Sequence, residues 1–151
     1  TLMVIMKIRE VKRPGDRIYG AVAALLPQLS PGAAGLTPEH FRKILGRKGT
    51  HLFVAEHGKK IAGMLTLVSY ETPSATRFWI EDVVVDDSLR GKGIGRELVR
   101  YAIDFARSKG ACAVDLTSRP SREAANFLYK KMGFELRETN AYRYHIRKPG
   151  I

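Results

Sequence analysis

The segment VVVDDSLRGKGIG, Val83–Gly95, ends an apolar run with two acids and then sets Gly91, Gly93 and Gly95 among Arg90, Lys92 and Ile94. Glycine is costly in regular structure because its backbone loses the most freedom on folding. Three of them so close together mark a main chain that turns tightly or is closely approached. If a helix begins here, its first amides have no intrahelical partner and stand at the positive end of the macrodipole. An anion, above all a phosphate, is then the natural occupant. Arg90 would add a planar fork and Lys92 a point charge. A turn needed only for tight packing would use the same glycines. Two phosphate motifs are excluded by spacing: a Walker A loop needs Ser or Thr after its Lys, where Gly93 stands, and the dinucleotide fingerprint is GxGxxG near an early βαβ unit, whereas GxGxG lies late in this chain.

A second constellation is Glu81 and Asp82 in WIEDVVV. Acids are rarely placed in an apolar strand without cause. Strand alternation predicts opposite faces for them, and burial would raise a carboxyl pKa toward the range of a general base. An ion pair to one of the many arginines accounts for them as well. A third is Asn126 with Tyr129, three apart and so on one face of a helix, with Ala124, Ala125, Leu128 and Met132 on the other. Tyr129 is thus not required by the core. His40, His51, His57 and His145 show no metal-ligand spacing, and Cys112, in ACAVDLT, reads as a core thiol.

The elements that must position these groups follow from periodicity and punctuation. Residues 2–9 read as a strand, and DRIYGAVAALLPQL from Asp16 as a helix ending near Pro27. The run 30–38 is a Ser/Pro/Gly loop. Thr37 caps a helix with Pro38 at its first position. HLFVAEHGKKIAGMLTLVSY is a hairpin about a His57–Lys60 turn, and TRFWIEDVVVDD is a further strand. Ile94, Leu98, Ala102, Phe105 and Ala106 recur at helical spacing until Gly110 closes the helix. ACAVDLT is a short strand, and SREAANFLYKKMG is a helix from a Ser121 cap to Gly133. FELRET and YRYHIR make a last strand pair around Asn140. This order argues for a mixed α/β or α+β domain built on one sheet.

With 151 residues, 44% hydrophobic and 27% charged, the chain suits a single domain, 1–151, of ordinary globular composition. No apolar run approaches a membrane span of about 20 residues, and the N-terminus is charged too soon for a signal peptide. The single Cys excludes an internal disulfide and fits a reducing cytoplasm. The net charge of +11 favours anionic ligands. The basic residues are dispersed, without the stripe and interleaved aromatics of a nucleic-acid face, so neither nucleic acid nor membrane is expected as a partner.

RGKGIG fits the (Q/R)xxGx(G/A) motif of the GNAT superfamily of N-acetyltransferases through Arg90, Gly93 and Gly95, with Val83–Val85 at the usual distance before it. About thirty residues on, NFLYKKMGF resembles the family's NxxxYxxxGF region, with one residue fewer between Asn126 and Tyr129. Together these cover residues 78–136. The resemblance implies an acyltransferase fold: a mixed, mostly antiparallel sheet of about seven strands, about four helices, and a parallel pair splayed at the cofactor site. It implies acetyl-CoA as co-substrate without a metal. The pyrophosphate would lie on the amides of Arg90, Gly91, Lys92, Gly93, Ile94, Gly95 and Arg96, and the pantetheine arm along the backbones of Val83, Val84 and Val85. Tyr129 matches the general acid and Asn126 a cofactor contact. WIEDVVV resembles the IED strand of glucosamine-phosphate acetyltransferases, which favours Glu81 as base, directly or through a water, with Asp82 as alternative.

The stretch 116–146, LTSRPSREAANFLYKKMGFELRETNAYRYHI, also reads like a group of bacterial GNAT proteins of unassigned substrate, and many relatives dimerise. The implied reaction is acetylation of a primary amine of a small molecule by direct attack. A protein or peptide acceptor and a non-catalytic acyl-CoA-binding module are the alternatives. Tyr142, Tyr144, the 30–38 loop, Trp79 and Tyr70 are candidates to shape the acceptor site, and Glu71 to cluster with Glu81 and Asp82.

Overall fold

The β-branched and aromatic residues concentrate between Thr50 and Val85, and that is where the sheet forms. The computed structural model describes residues 6–147. Its elements are β1 (Met6–Glu10), α1 (Asp16–Leu29), α2 (Pro38–Leu45), β2 (Thr50–His57), β3 (Lys60–Thr72), β4 (Ala75–Val85), a 3-10 turn (Asp87–Leu89), α3 (Ile94–Ser108), β5 (Asp115–Leu116) and α4 (Glu123–Lys131). They fall into two compact units, Thr1–Thr117 and Ser118–Ile151.

In the first unit the strands run in the order β1-β2-β3-β4-β5. The first three pairings are antiparallel and β4–β5 is parallel. Opposed residues share a face, and faces alternate along each strand. Leu52 and Val54 of β2 stand opposite Thr66 and Met64 of β3, and Leu52, Val54, Met64 and Val84 join Ile18, Val22 and Leu25 of α1 and Phe41 of α2 in one buried cluster. The other face carries α3. There Leu98, Val99, Ala102 and Ala106 are fully buried, and Phe53 packs on Tyr101 and Phe105 with ring centroids 4.9 and 5.2 Å apart. Removing a buried side chain such as Leu98 costs about 2–5 kcal/mol, because the hole refills only in part.

The structure departs from the sequence reading at several points. The described part of the first strand is Met6–Glu10; the expected residues before Met6 lie outside the described ones. Helix α1 continues past Pro27 to Leu29. A proline in the last turn removes only one of the helix's final bonds, so it does not stop the helix where it stands. Cys112 is exposed rather than core, because β5 begins only at Asp115.

In the second unit, α4 starts after Arg122 without a side-chain cap, so Ser121 does not cap it. Gly133, at φ +100°, ends it as expected. The strand pair expected at 134–147 is absent: among the described residues the sheet has five strands, not about seven. The alternation is present, but Leu136, Tyr142, Tyr144 and Ile146 are exposed. Alternation proposes a strand; only a ladder with a neighbour makes one.

Candidate active site

The glycine segment begins α3, as its spacing predicts. Gly91 and Gly93 have φ of +79° and +77°, a left-handed conformation that costs an ordinary L-residue roughly 1–2 kcal/mol. A Cβ at either would touch nothing within 4 Å, so backbone conformation, not crowding, selects glycine there. Gly93 is the N-cap of α3 and no side chain bonds into the helix start. The first amides of α3 are therefore left to solvent or to a ligand. Lys92 and Arg96 are exposed beside them.

Arg90 is not simply waiting for an anion. Its guanidinium lies 2.7 Å from the Asp87 carboxylate, both side chains well exposed; such a pair is weak and readily exchanged. The loop before it is built from the acids that follow the valine run. Asp86 accepts from Ser88 Oγ at 2.7 Å and from Ser88 N at 2.9 Å and pairs with Lys60 at 3.2 Å. The Ser88 hydroxyl, the Ser88 amide and then Lys60 hold its carboxyl down to about 2. The Asp87 amide donates to Gln28 Oε1 at 2.8 Å, tying the loop to the end of α1.

β4 supplies the second half of the site. Its register against β3 shifts between Thr66, opposite Glu81, and Met64, opposite Val84. Two residues of β3 thus span three steps of β4, the signature of a bulge. Asp82 takes up the difference at φ +48°, where no other described non-glycine residue of the chain stands. Simple alternation separates Glu81 from Val84; the extra residue brings both to the face that α1 and α2 cover. On its other edge β4 pairs with β5 only at Trp79–Asp115 and Ile80–Leu116. From Glu81 to Val85 that edge has no strand beside it among the described residues. The bulge thus lies just beyond Ile80, the last residue of β4 that pairs with its parallel neighbour.

Gly63 is a requirement that sequence reasoning did not single out. A Cβ there would meet Val84 O at 2.9 Å and the Leu98 side chain at 3.2 Å. A lone glycine inside a strand pattern is the signal that marks such a close approach.

Both acids of the pair are exposed, which corrects their reading as buried. Glu81 nonetheless has its carboxyl held above the ordinary range, first by partial loss of solvation and then by the charge of Asp82. Glu71 stands opposite Thr76 and so on the other face of the hairpin from Glu81; it does not join the pair.

In the second unit, Tyr129 is buried to 8% exposure, against the reading that the core does not need it. Its ring meets Phe134 edge-on at 5.7 Å. Burial pushes the phenol pKa up, with the Arg122 charge opposing, so the hydroxyl keeps its proton. The Asn126 side chain donates to the Arg119 carbonyl at 2.9 Å, which fastens the approach to α4. Among the described residues no cluster of three His, Cys, Asp or Glu could hold a metal ion, and no helix is long and apolar enough to cross a membrane.

Residues 22–134 match the model of the acetyltransferase (GNAT) family. The chain belongs to that family. It thereby falls in a class of acyltransferase enzymes. It is 30% identical over 113 residues to the N-alpha-acetyltransferase RimI of Mycobacterium tuberculosis, a match covering 75% of this chain and 70% of that protein. It is 31% identical over 96 residues to N-acetyltransferase 8 of Homo sapiens, covering 62% of this chain and 42% of that one, so the match spans less than half of the human relative. Among solved structures, glucosamine-6-phosphate N-acetyltransferase from Arabidopsis thaliana shares the fold with a TM-score of 0.77 at 26% identity, over 93% of this chain and 98% of that one.

Proposed function

We propose that this GNAT protein transfers the acetyl group of acetyl-CoA to a primary amine of a small molecule, by direct attack in a ternary complex. One observation carries the reading. An uncapped helix start headed by two left-handed glycines follows, after one short turn, a strand that bulges just past its last parallel pairing at Ile80. The first offers amides to a diphosphate; the second offers strand-edge backbone from Val83 to Val85 to an amide-bearing arm, as an added strand would be received.

Acetyl-CoA, when bound, supplies the activated acyl carbon. The chain's own groups do the rest. Arg90, Lys92 and Arg96 add charge around the amides of Gly91, Gly93, Ile94 and Gly95, with Asn126 as a further cofactor contact. The amine must shed a proton to attack, and Glu81, with its raised pKa, accepts it directly or through water. As the new C–N bond forms and the C–S bond breaks, the departing sulfur needs a proton, and Tyr129 is its donor. The surface charge of +11 weighs against a basic polypeptide as acceptor. The similarity to RimI, an N-alpha-acetyltransferase, supports a protein or peptide amine as the second reading.

The test is acetyl-CoA titration followed by melting. A ligand that binds only the folded state raises the melting temperature, by about 2.7 kcal/mol of added stability at a hundredfold excess over Kd. Thiol release with a panel of amines follows. No shift at millimolar acetyl-CoA overturns the proposal.

A further inference from the structure

The sheet face covered by α1 and α2 continues beyond their cover. On β3 and β4 it carries three opposed pairs: Thr66 with Glu81, Val68 with Trp79, and Tyr70 with Arg77. Opposed residues point the same way, and so does every second residue. The Trp79 indole N–H donates to the Tyr70 hydroxyl at 3.1 Å, which ties the two rings into one surface. Tyr70 is 44% exposed and Trp79 is half-buried. The core does not call for these rings, because the buried neighbours Phe78 and Ile80 lie on the opposite face. At one end of the aromatic surface stands Glu81. At the other, about 13 Å away at roughly 3.3 Å per residue, stands Arg77; both are exposed.

We infer that Trp79 and Tyr70 form the acceptor shelf of this enzyme and that its acceptor is a primary amine with one positive charge and an aromatic or aliphatic body, of the arylalkylamine kind. The inference rests on the function proposed above. Glu81 draws the ammonium group. The paired rings take the apolar body and favour a cation near their faces. Arg77 repels a second positive charge at the far end, which selects against polyamines and aminoglycosides. A neutral or anionic far end is accepted.

Trp79 is the only tryptophan of the chain, so its emission reports on this surface alone. Titrating the full chain with 4-phenylbutylamine changes that emission saturably, and spermidine at equal concentration changes it far less. In turnover with acetyl-CoA, kcat/KM for 4-phenylbutylamine exceeds that for propylamine by about tenfold or more. Trp79→Leu collapses this ratio toward one and Trp79→Phe keeps most of it. Arg77→Glu raises spermidine relative to 4-phenylbutylamine. Flat emission while thiol release proceeds, or an unchanged ratio in Trp79→Leu, overturns the shelf and leaves acetyl transfer standing. A saturable emission change without thiol release from any amine supports the shelf as an amine site and overturns the proposed reaction instead.

Discussion

Helices α2 and α3 begin in opposite ways. At α2 the protein closes its own helix: Thr37 Oγ1 accepts from the His40 amide at 3.1 Å and Pro38 occupies the first turn, where no amide hydrogen is needed. At α3 no side chain does that work, and two left-handed glycines hold the approach open. A glycine cap by itself is not the difference. Gly15 heads α1, also without a side-chain bond, at an ordinary φ of −99°. What sets α3 apart is a start approached through two left-handed glycines, with Arg90, Lys92 and Arg96 next to it in the chain. At α2 the start is capped from within; at α3 it is left open, which is what the proposed anion site requires.

That contrast can be broken most severely at Gly93. Aspartate tolerates left-handed φ better than most residues, so Gly93→Asp is expected to fold. Its carboxylate then competes with a diphosphate for the same amides. The stabilisation by acetyl-CoA should vanish in a thermal melt, and kcat/KM should fall by at least about a hundredfold. An undiminished shift would make α3 an ordinary helix start.

Tyr129→Phe sharpens the division between binding and chemistry. Turnover should fall by about a hundredfold, a typical contribution of a general acid, while the acetyl-CoA shift persists. Equal turnover in a thiol-release assay would remove Tyr129 as the proton donor.

Glu81→Gln should cost about tenfold to a hundredfold, and its signature is in the pH profile. The Glu81 pKa is raised from 4.5, and only the carboxylate can accept a proton. The rate of the natural enzyme should therefore fall as pH drops through that raised value, above the ordinary glutamate range. The variant should lose this acidic limb. A limb that survives in Glu81→Gln assigns the base elsewhere, Asp82 first.

The smallest effect belongs to α2. Thr37→Ala should destabilise the fold by about 1 kcal/mol, the usual worth of an N-cap, measured by denaturant midpoint. The acetyl-CoA shift should not change. If it did, the two helix starts would not be independent.

The sequence was most legible where local chemistry decides. Thr37-Pro38, the Gly58 hairpin turn, Gly110, Gly133 and the helical stripe of α3 each act over a few residues, and each stands where its spacing predicts. It was least legible where distant partners decide. Nothing in WIEDVVV announces that Asp82 adopts φ +48°, because a bulge arises from fitting two strands of unequal count. The exposure of Cys112, the burial of Tyr129 and the missing strands after Phe134 are likewise consequences of what lies alongside.

From its residues alone, this chain settled where main chain must turn and where helices start, and it carried the pattern that places it in the GNAT family. Those are properties of single residues and short spacings, set by allowed φ angles and by hydrogen bonds a few residues apart. Only the tertiary structure put Glu81 and Val84 on one face, ended the β4–β5 pairing at Ile80, and joined Trp79 to Tyr70. Those depend on register between strands, which no segment specifies alone.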